Sequence, residues 1–121
     1  MKFFILAQLT DGPYGGGNQF LSALKKQLQL INCHADKVQE AEVILFNSHH
    51  HYQQVLRLKL RYPDKIFLHR IDGPVDRYRG QEPDVDKTIF RLNALVADGT
   101  IFQSQWSREA NYQAGCATSQ Y

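Results

Sequence analysis

Apolar positions along the chain alternate between continuous runs and helical spacing. Residues 3–9 form a nearly unbroken apolar run, as expected for a central parallel strand covered on both faces. After a glycine-rich stretch, Phe20, Leu21, Leu24, Leu28 and Ile31 recur at helical intervals. Residues 31–34 read as a short second strand, and Asp36, Gln39 and Glu40 mark a polar turn or short helix. Glu42 leads into Val43-Ile44-Leu45-Phe46, a third strand by its β-branched and aromatic content. Tyr52, Val55, Leu56 and Leu60 predict a helix capped by Asn47 or Ser48. Arg57, Lys59 and Arg61 are expected to face solvent late in that helix, where cations are favoured. Tyr62-Pro63-Asp64 then turns the chain into Ile66-Phe67-Leu68, a fourth strand.

Residues 75–84 are polar and punctuated, which predicts a loop long for a strand-to-helix connection. Its Asp76, Arg77, Arg79, Glu82 and Asp84 either bind a polar ligand or form solvated surface. Val85, Ile89, Leu92 and Val96 share a helical face that Phe90, Ala94 and Ala97 widen, with Asp84 as cap and Asp98-Gly99 as stop. Thr100-Ile101-Phe102-Gln103 is a fifth strand. Ser104 caps a last helix over residues 105–114, with Trp106, Ala110 and Ala114 on its buried side and Gly115 ending it. Strands and helices alternating in this way predict one α/β, Rossmann-like three-layer domain with a mainly parallel four- or five-stranded sheet. The domain spans residues 1–115, and residues 116–121 read as a tail or the start of a linker. The spacings leave the strand order open.

Composition narrows the function classes. A chain of 121 residues with 43% hydrophobic content suits one folded domain rather than a disordered segment. The formal charge of +2 is spread without a dense basic block, which does not point to nucleic acid. Cys33 and Cys116 make no metal or disulfide framework and read as thiols of a cytoplasmic protein. The apolar run after Lys2 is broken by Gln8, Thr10 and Asp11, too early for a signal peptide. No apolar segment approaches the ~20 residues needed to span a membrane. Peripheral membrane contact stays open.

Candidate chemistry gathers where strands end. The fourth strand runs directly into His69, Arg70 and Asp72, and open α/β sheets bind ligands at the carboxyl ends of their strands. Those three side chains are either a site or ordinary strand-exit charges with a capping Asp. Residues 11–18, Asp-Gly-Pro-Tyr-Gly-Gly-Gly-Asn, follow the first strand and precede a helix. That order can present backbone N–H groups to an anion. It matches neither the dinucleotide fingerprint nor a phosphate-binding loop, so a tight turn for close packing is the other reading. His49, His50 and His51 are adjacent, without the spacing or further ligands of a zinc site, and no metal is expected.

Four pieces in order carry a resemblance: the glycine loop at residues 12–17, the third strand Glu-Val-Ile-Leu-Phe-Asn-Ser at 42–48, His69-Arg70-Ile71-Asp72-Gly73-Pro74, and Asp98-Gly99-Thr100-Ile101-Phe102-Gln103-Ser104-Gln105-Trp106-Ser107. Over essentially its whole length the chain resembles the N-terminal domain of GT-B nucleotide-sugar glycosyltransferases, particularly the large retaining group. The resemblance implies the acceptor side of a cleft between two Rossmann-like domains. It implies catalytic roles for His69 and Asp72. It implies substrate binding by Gly15, Gly16, Gly17, Asn18, Arg70 and Arg108. No cofactor is expected in this chain. The nucleotide-sugar donor would arrive only with a C-terminal donor-binding domain, which is then the expected partner. The expected ligand is a carbohydrate or other small acceptor, catalysis by this chain alone is not expected, and self-association through the open face stays open. A stand-alone small-ligand or phosphate-binding module, or an interaction domain using the cleft face, is the alternative reading.

Overall fold

The computed structural model describes residues 1–7, 15–72 and 83–116. Residues expected in the glycine loop before Gly15, most of the long polar loop after Asp72, and 117–121 lie outside them. The elements run β1 (Phe3–Leu6), α1 (Gly15–Leu30), a 3-10 turn (Val38–Glu40), β2 (Val43–Asn47), α2 (Tyr52–Arg61), β3 (Ile66–Ile71), α3 (Pro83–Val96), β4 (Gly99–Phe102) and α4 (Gln105–Ala114). The strands are parallel and hydrogen-bonded in the order β1-β2-β3-β4. The expected second strand is reduced to one parallel bridge between His34 and Phe3 on the other side of β1. Phe3 N–H donates to the Cys33 carbonyl at 2.8 Å, and Ala35 N–H to the Phe3 carbonyl at 2.9 Å. The chain therefore visits one side of β1 and then crosses to the other. This reversal makes the gap between β1 and β2 the topological switch point, the place where such sheets bind ligands.

Alternation along the strands sorts side chains onto two covered faces. Ile44, Phe46 and Phe67 pack with Val55 of α2 and with Leu92 and Val96 of α3. Ile5 and Leu45 pack with Leu21 and Leu28 of α1, joined by Leu68 and Ile101. Helices on both faces give the three-layer arrangement expected from the sequence; β2 is buried along its whole length, whereas β1, expected as a central strand, pairs with β2 on one side and with His34 through a single bridge on the other.

Helix ends follow recognisable chemistry. Asn32, at φ 59°, closes α1: Cys33 N–H reaches the Leu28 carbonyl at 2.7 Å and Asn32 N–H the Gln29 carbonyl at 3.2 Å. Gly115, at φ 118°, closes α4 in the same way, with Cys116 N–H on the Asn111 carbonyl at 2.9 Å. Cys116, read from the sequence as the start of a tail, is buried. Ser104 caps α4 as expected, its hydroxyl accepting from Ser107 N–H at 3.1 Å.

Several expected faces are corrected. Ile31 lies past the end of α1 and is exposed. Leu56 and Leu60 of α2 are exposed, whereas Lys59, expected in solvent, holds its ammonium 4.9 Å from the Phe67 ring centroid, as a long basic side chain can while its stem covers apolar surface. Ala94 is exposed and Asn93 buried in α3. Trp106 and Ala114 of α4 are exposed; Ser107, Ala110 and Asn111 form its buried side. Asp84 lies within α3 rather than capping it, because Pro83 takes the helix's first position, where its missing N–H costs nothing.

Candidate functional site

The carboxyl ends of β1, β2 and β3 share one edge because the strands are parallel. Asn47 ends β2 in register with Arg70 of β3. Both lie on the face of α1, since Leu45 and Leu68, two residues earlier in each strand, pack against that helix. Arg70 donates from Nη1 to Asn47 Oδ1 at 3.0 Å and pairs through Nη2 with Asp72 Oδ1 at 2.9 Å. Its guanidinium lies over the Phe20 ring of α1, 4.8 Å from the centroid. The cation is 2% exposed and the Asp72 side chain 43%. A buried guanidinium is tolerable only when paired and hydrogen-bonded, and Arg70 is both. The arrangement places a sequestered cation beneath an accessible carboxylate. The Asp72 backbone is held separately, its carbonyl accepting from Asn111 Nδ2 at 2.8 Å.

His69 points to the opposite face. Its Nε2 lies 2.8 Å from the Ser48 carbonyl, which can only accept, so the proton belongs on Nε2. Nδ1 then accepts from Asn93 Nδ2 at 3.0 Å, and the same amide donates to Thr100 Oγ1 at 2.8 Å. The ring is fully buried, and that burial pushes its pKa down to about 4, against the pull of the Ser48 carbonyl. His69 is therefore neutral at pH 7, with both nitrogens engaged inside the protein. Expected from the sequence as a catalytic group, it is placed beneath the edge, where it acts on the edge through Ser48.

Ser48 is the pivot of that edge. Its φ of 53° lies in the left-handed region, unusual for a residue with a side chain. Its N–H donates to the Arg70 carbonyl at 2.8 Å while its own carbonyl takes the His69 proton, so β3 fixes the turn at two points. The turn is not the helix cap predicted from Asn47 or Ser48: Asn47 is spent on Arg70, and α2 starts after His51, also at positive φ, 57°. His49 Nδ1 lies 3.1 Å from Ser48 Oγ, and the His49 and His50 rings stack at 4.7 Å. Partial burial lowers the pKa of His50, as do its two histidine neighbours, while the Asp72 charge opposes them.

The remaining expected site residues divide. Gly15, Gly16, Gly17 and Asn18 form the first turn of α1 rather than a loop, and first-turn N–H groups lack acceptors within their helix. Phe20, one turn on, reaches Arg70, which brings the start of α1 to the same edge as Asp72. Arg108 is exposed on α4; its guanidinium stands over the Tyr112 ring at 5.4 Å, and the tyrosine hydroxyl raises its pKa. Its side-chain contacts among the described residues do not include Arg70 or Asp72. Asn47 as a ligand of Arg70, Asn93 and Asn111 were not singled out from the sequence, though Asn93 interrupts the apolar stripe of α3, a signal of a buried polar partner.

An apolar groove of about 420 Å³ opens between α2 and α3, lined in part by His49, Tyr52, Leu56, Val85 and Leu95. Thr88 and Arg91 of α3 also line it. Among the described residues no group of three His, Cys, Asp or Glu side chains is placed to hold a metal ion, and no helix is long and apolar enough to cross a membrane. Comparison with protein-family models, curated proteins and solved structures found no match to this chain.

Proposed function

We propose that this chain is the acceptor-side domain of a GT-B-type glycosyltransferase, which takes sugar from a nucleotide-sugar held chiefly by a second domain. The sequence resemblance motivates the reading. One observation carries it: Asp72, at the carboxyl edge of a parallel sheet, is paired with buried Arg70, which itself bonds Asn47 of β2 and lies over Phe20 of α1. That is where a Rossmann-like domain presents a ligand. Transfer needs donor and acceptor held together away from bulk water, and one wall of a cleft does not supply that. On this reading Asp72 is the group that touches an acceptor. Arg70 positions it, and His69 holds the neighbouring turn.

A phosphate-binding module is the second reading, favoured by the start of α1 at the same edge. Calorimetric titration of the chain with nucleotide-sugars, inorganic phosphate and neutral saccharides separates the two. The acceptor-side reading expects no turnover and donor affinity no tighter than about millimolar, about 4 kcal/mol. Micromolar binding of a nucleotide-sugar or of phosphate would overturn it.

A further inference from the structure

We infer that the groove between α2 and α3 is a second ligand site, which takes an amphiphilic monocarboxylate such as octanoate, its carboxylate on Arg91 and its alkyl chain along Leu56, Leu92 and Leu95. The inference does not rest on the acceptor-side reading, because α2 and α3 cover the face of the sheet opposite the one that carries Arg70.

The fold makes this surface apolar without covering it. α2 and α3 each carry the chain from one parallel strand to the next over the same face, where Val55, Leu92 and Val96 pack with Ile44, Phe46 and Phe67. The two helices therefore run the same way, with a furrow between them. Buried Leu92, shared with the core, forms its floor. Tyr52 and Leu56, one turn apart on α2, make one wall, and Val85 and Leu95 belong to the other. Tyr52 is 44% exposed, Leu56 37% and Leu95 65%, so large apolar side chains gather around one concavity rather than scatter over the surface. Its volume of about 420 Å³ falls within the roughly 300–1,000 Å³ of small-molecule sites.

Charge decides the class of ligand. Arg91 is the one formally charged side chain among the described residues lining the groove, and among the described residues its guanidinium makes no hydrogen bond or ion pair. A guanidinium takes a carboxylate through two parallel hydrogen bonds. At an exposed position that pair is worth about fivefold in affinity at most, whereas each methylene buried in the groove is worth up to about fourfold. A short acid therefore gains little, and an uncharged chain leaves the cation unused. An acid with an alkyl tail uses both, and a basic amphiphile would bring like charge to Arg91.

The test is a nuclear magnetic resonance titration of the labelled chain with octanoate, octanol and acetate, below the concentration at which octanoate forms micelles, following the methyl signals of Leu56 and Leu95. Octanoate should move both signals, saturate at one molecule per chain in the millimolar range or below, and leave Asp72 unmoved. Octanol should bind about threefold more weakly, and acetate should move neither signal. Arg91→Gln should weaken octanoate about threefold and leave octanol unchanged, and Arg91→Lys should restore most of the loss. Leu95→Ala should weaken both ligands alike, about threefold. Arg91 and Leu95 are exposed, so these variants spare folding. Octanol binding as tightly as octanoate, octanoate binding unchanged by Arg91→Gln, or uptake of several molecules without saturation (an adventitious additive only) would each overturn the inference. So would no response, a response confined to Asp72, or dimerisation through α2 and α3 that shuts octanoate out. None of these outcomes bears on the acceptor-side reading except a response at Asp72, which would return the ligand to the sheet edge.

Discussion

The imidazole of His69 lies nearly flat on the ring of Phe46, centroids 4.2 Å apart and planes 17° apart. The two residues are in register on adjacent strands, so the stack ties β2 to β3 one residue before Asn47 and Arg70 meet on the opposite face. A neutral imidazole is compatible with this packing. A protonated one would need Nδ1 to donate where Asn93 already does, and would carry charge into the apolar layer under α3.

Stability should therefore fall with acid through a defined window. The folded-state pKa of His69 is about 4, below the unfolded value of about 6.5. Between these values the unfolded chain binds more protons, so stability rises with pH there and is fully present above the upper value. Taking the wild type from pH 7 to pH 4 should cost on the order of 3 kcal/mol through this residue. Urea denaturation across that range, compared with His69→Gln, measures it. The variant should start less stable at pH 7 and show a shallower slope; parallel slopes would show that His69 does not titrate as argued.

The Arg70–Asp72 pair should respond unequally to truncation. Asp72→Ala strands a buried guanidinium with Asn47 as its remaining side-chain hydrogen-bond acceptor among the described residues, and should cost about 3 kcal/mol. Arg70→Met keeps an unbranched stem near Phe20 and leaves behind a carboxylate that water can reach, so about 1 kcal/mol is expected. Substitution at the more exposed partner is the more damaging one, the reverse of the usual surface rule. Chemical denaturation of the two variants should show that order, and an Arg70→Met loss exceeding that of Asp72→Ala would contradict it.

The architecture was legible because every strand and long helix carries its own hydrophobic period. Strand order was not, because it depends on which edges pair, and the His34 bridge that defines it is one residue long. The site was half legible. His69 and Arg70, expected beyond the end of the strand, lie inside β3, which runs to Ile71 and leaves Asp72 at its exit; period-two alternation sends His69 and Arg70 to opposite faces, so they do not point into one site. Buried Asn93 and Asn111 escaped because one partner of each is distant in sequence: His69 for one, the Asp72 carbonyl for the other. Trp106 was expected inside together with Ala110 and Ala114. The small polar residues Ser107 and Asn111 lie there instead, and Asn111 Nδ2 bonds the Ser107 carbonyl at 2.7 Å.

Zinc should not be retained by the histidine run. The His49 and His50 planes lie 26° apart in a stack, which sends their nitrogen lone pairs outward along the ring edges rather than toward a common point. Tetrahedral zinc needs four donors converging at about 2 Å. After dialysis against a weak chelator, metal analysis should find zinc far below one equivalent per chain. Stoichiometric zinc that is lost on His49→Ala would reverse this reading.

Ser48 offers the most direct test of how the edge is built. Its left-handed backbone is held by the Arg70 carbonyl on one side and the His69 imidazole on the other. Glycine enters that conformation freely, and asparagine more readily than most residues. A β-branched side chain is strained there. Ser48→Gly should therefore be close to neutral, since relief of strain offsets the lost Oγ contact with His49 and the added freedom of the unfolded chain. Ser48→Val should cost about 2 kcal/mol or more. If the turn fails locally before the fold does, the Val variant should also release the His69 Nε2 proton to exchange with solvent, visible as loss of its slowly exchanging imidazole signal while the rest of the spectrum persists. A Val variant as stable as the wild type, with that proton still protected, would mean the turn can be built without the left-handed backbone, and the account of His69 as the residue that holds it would fail.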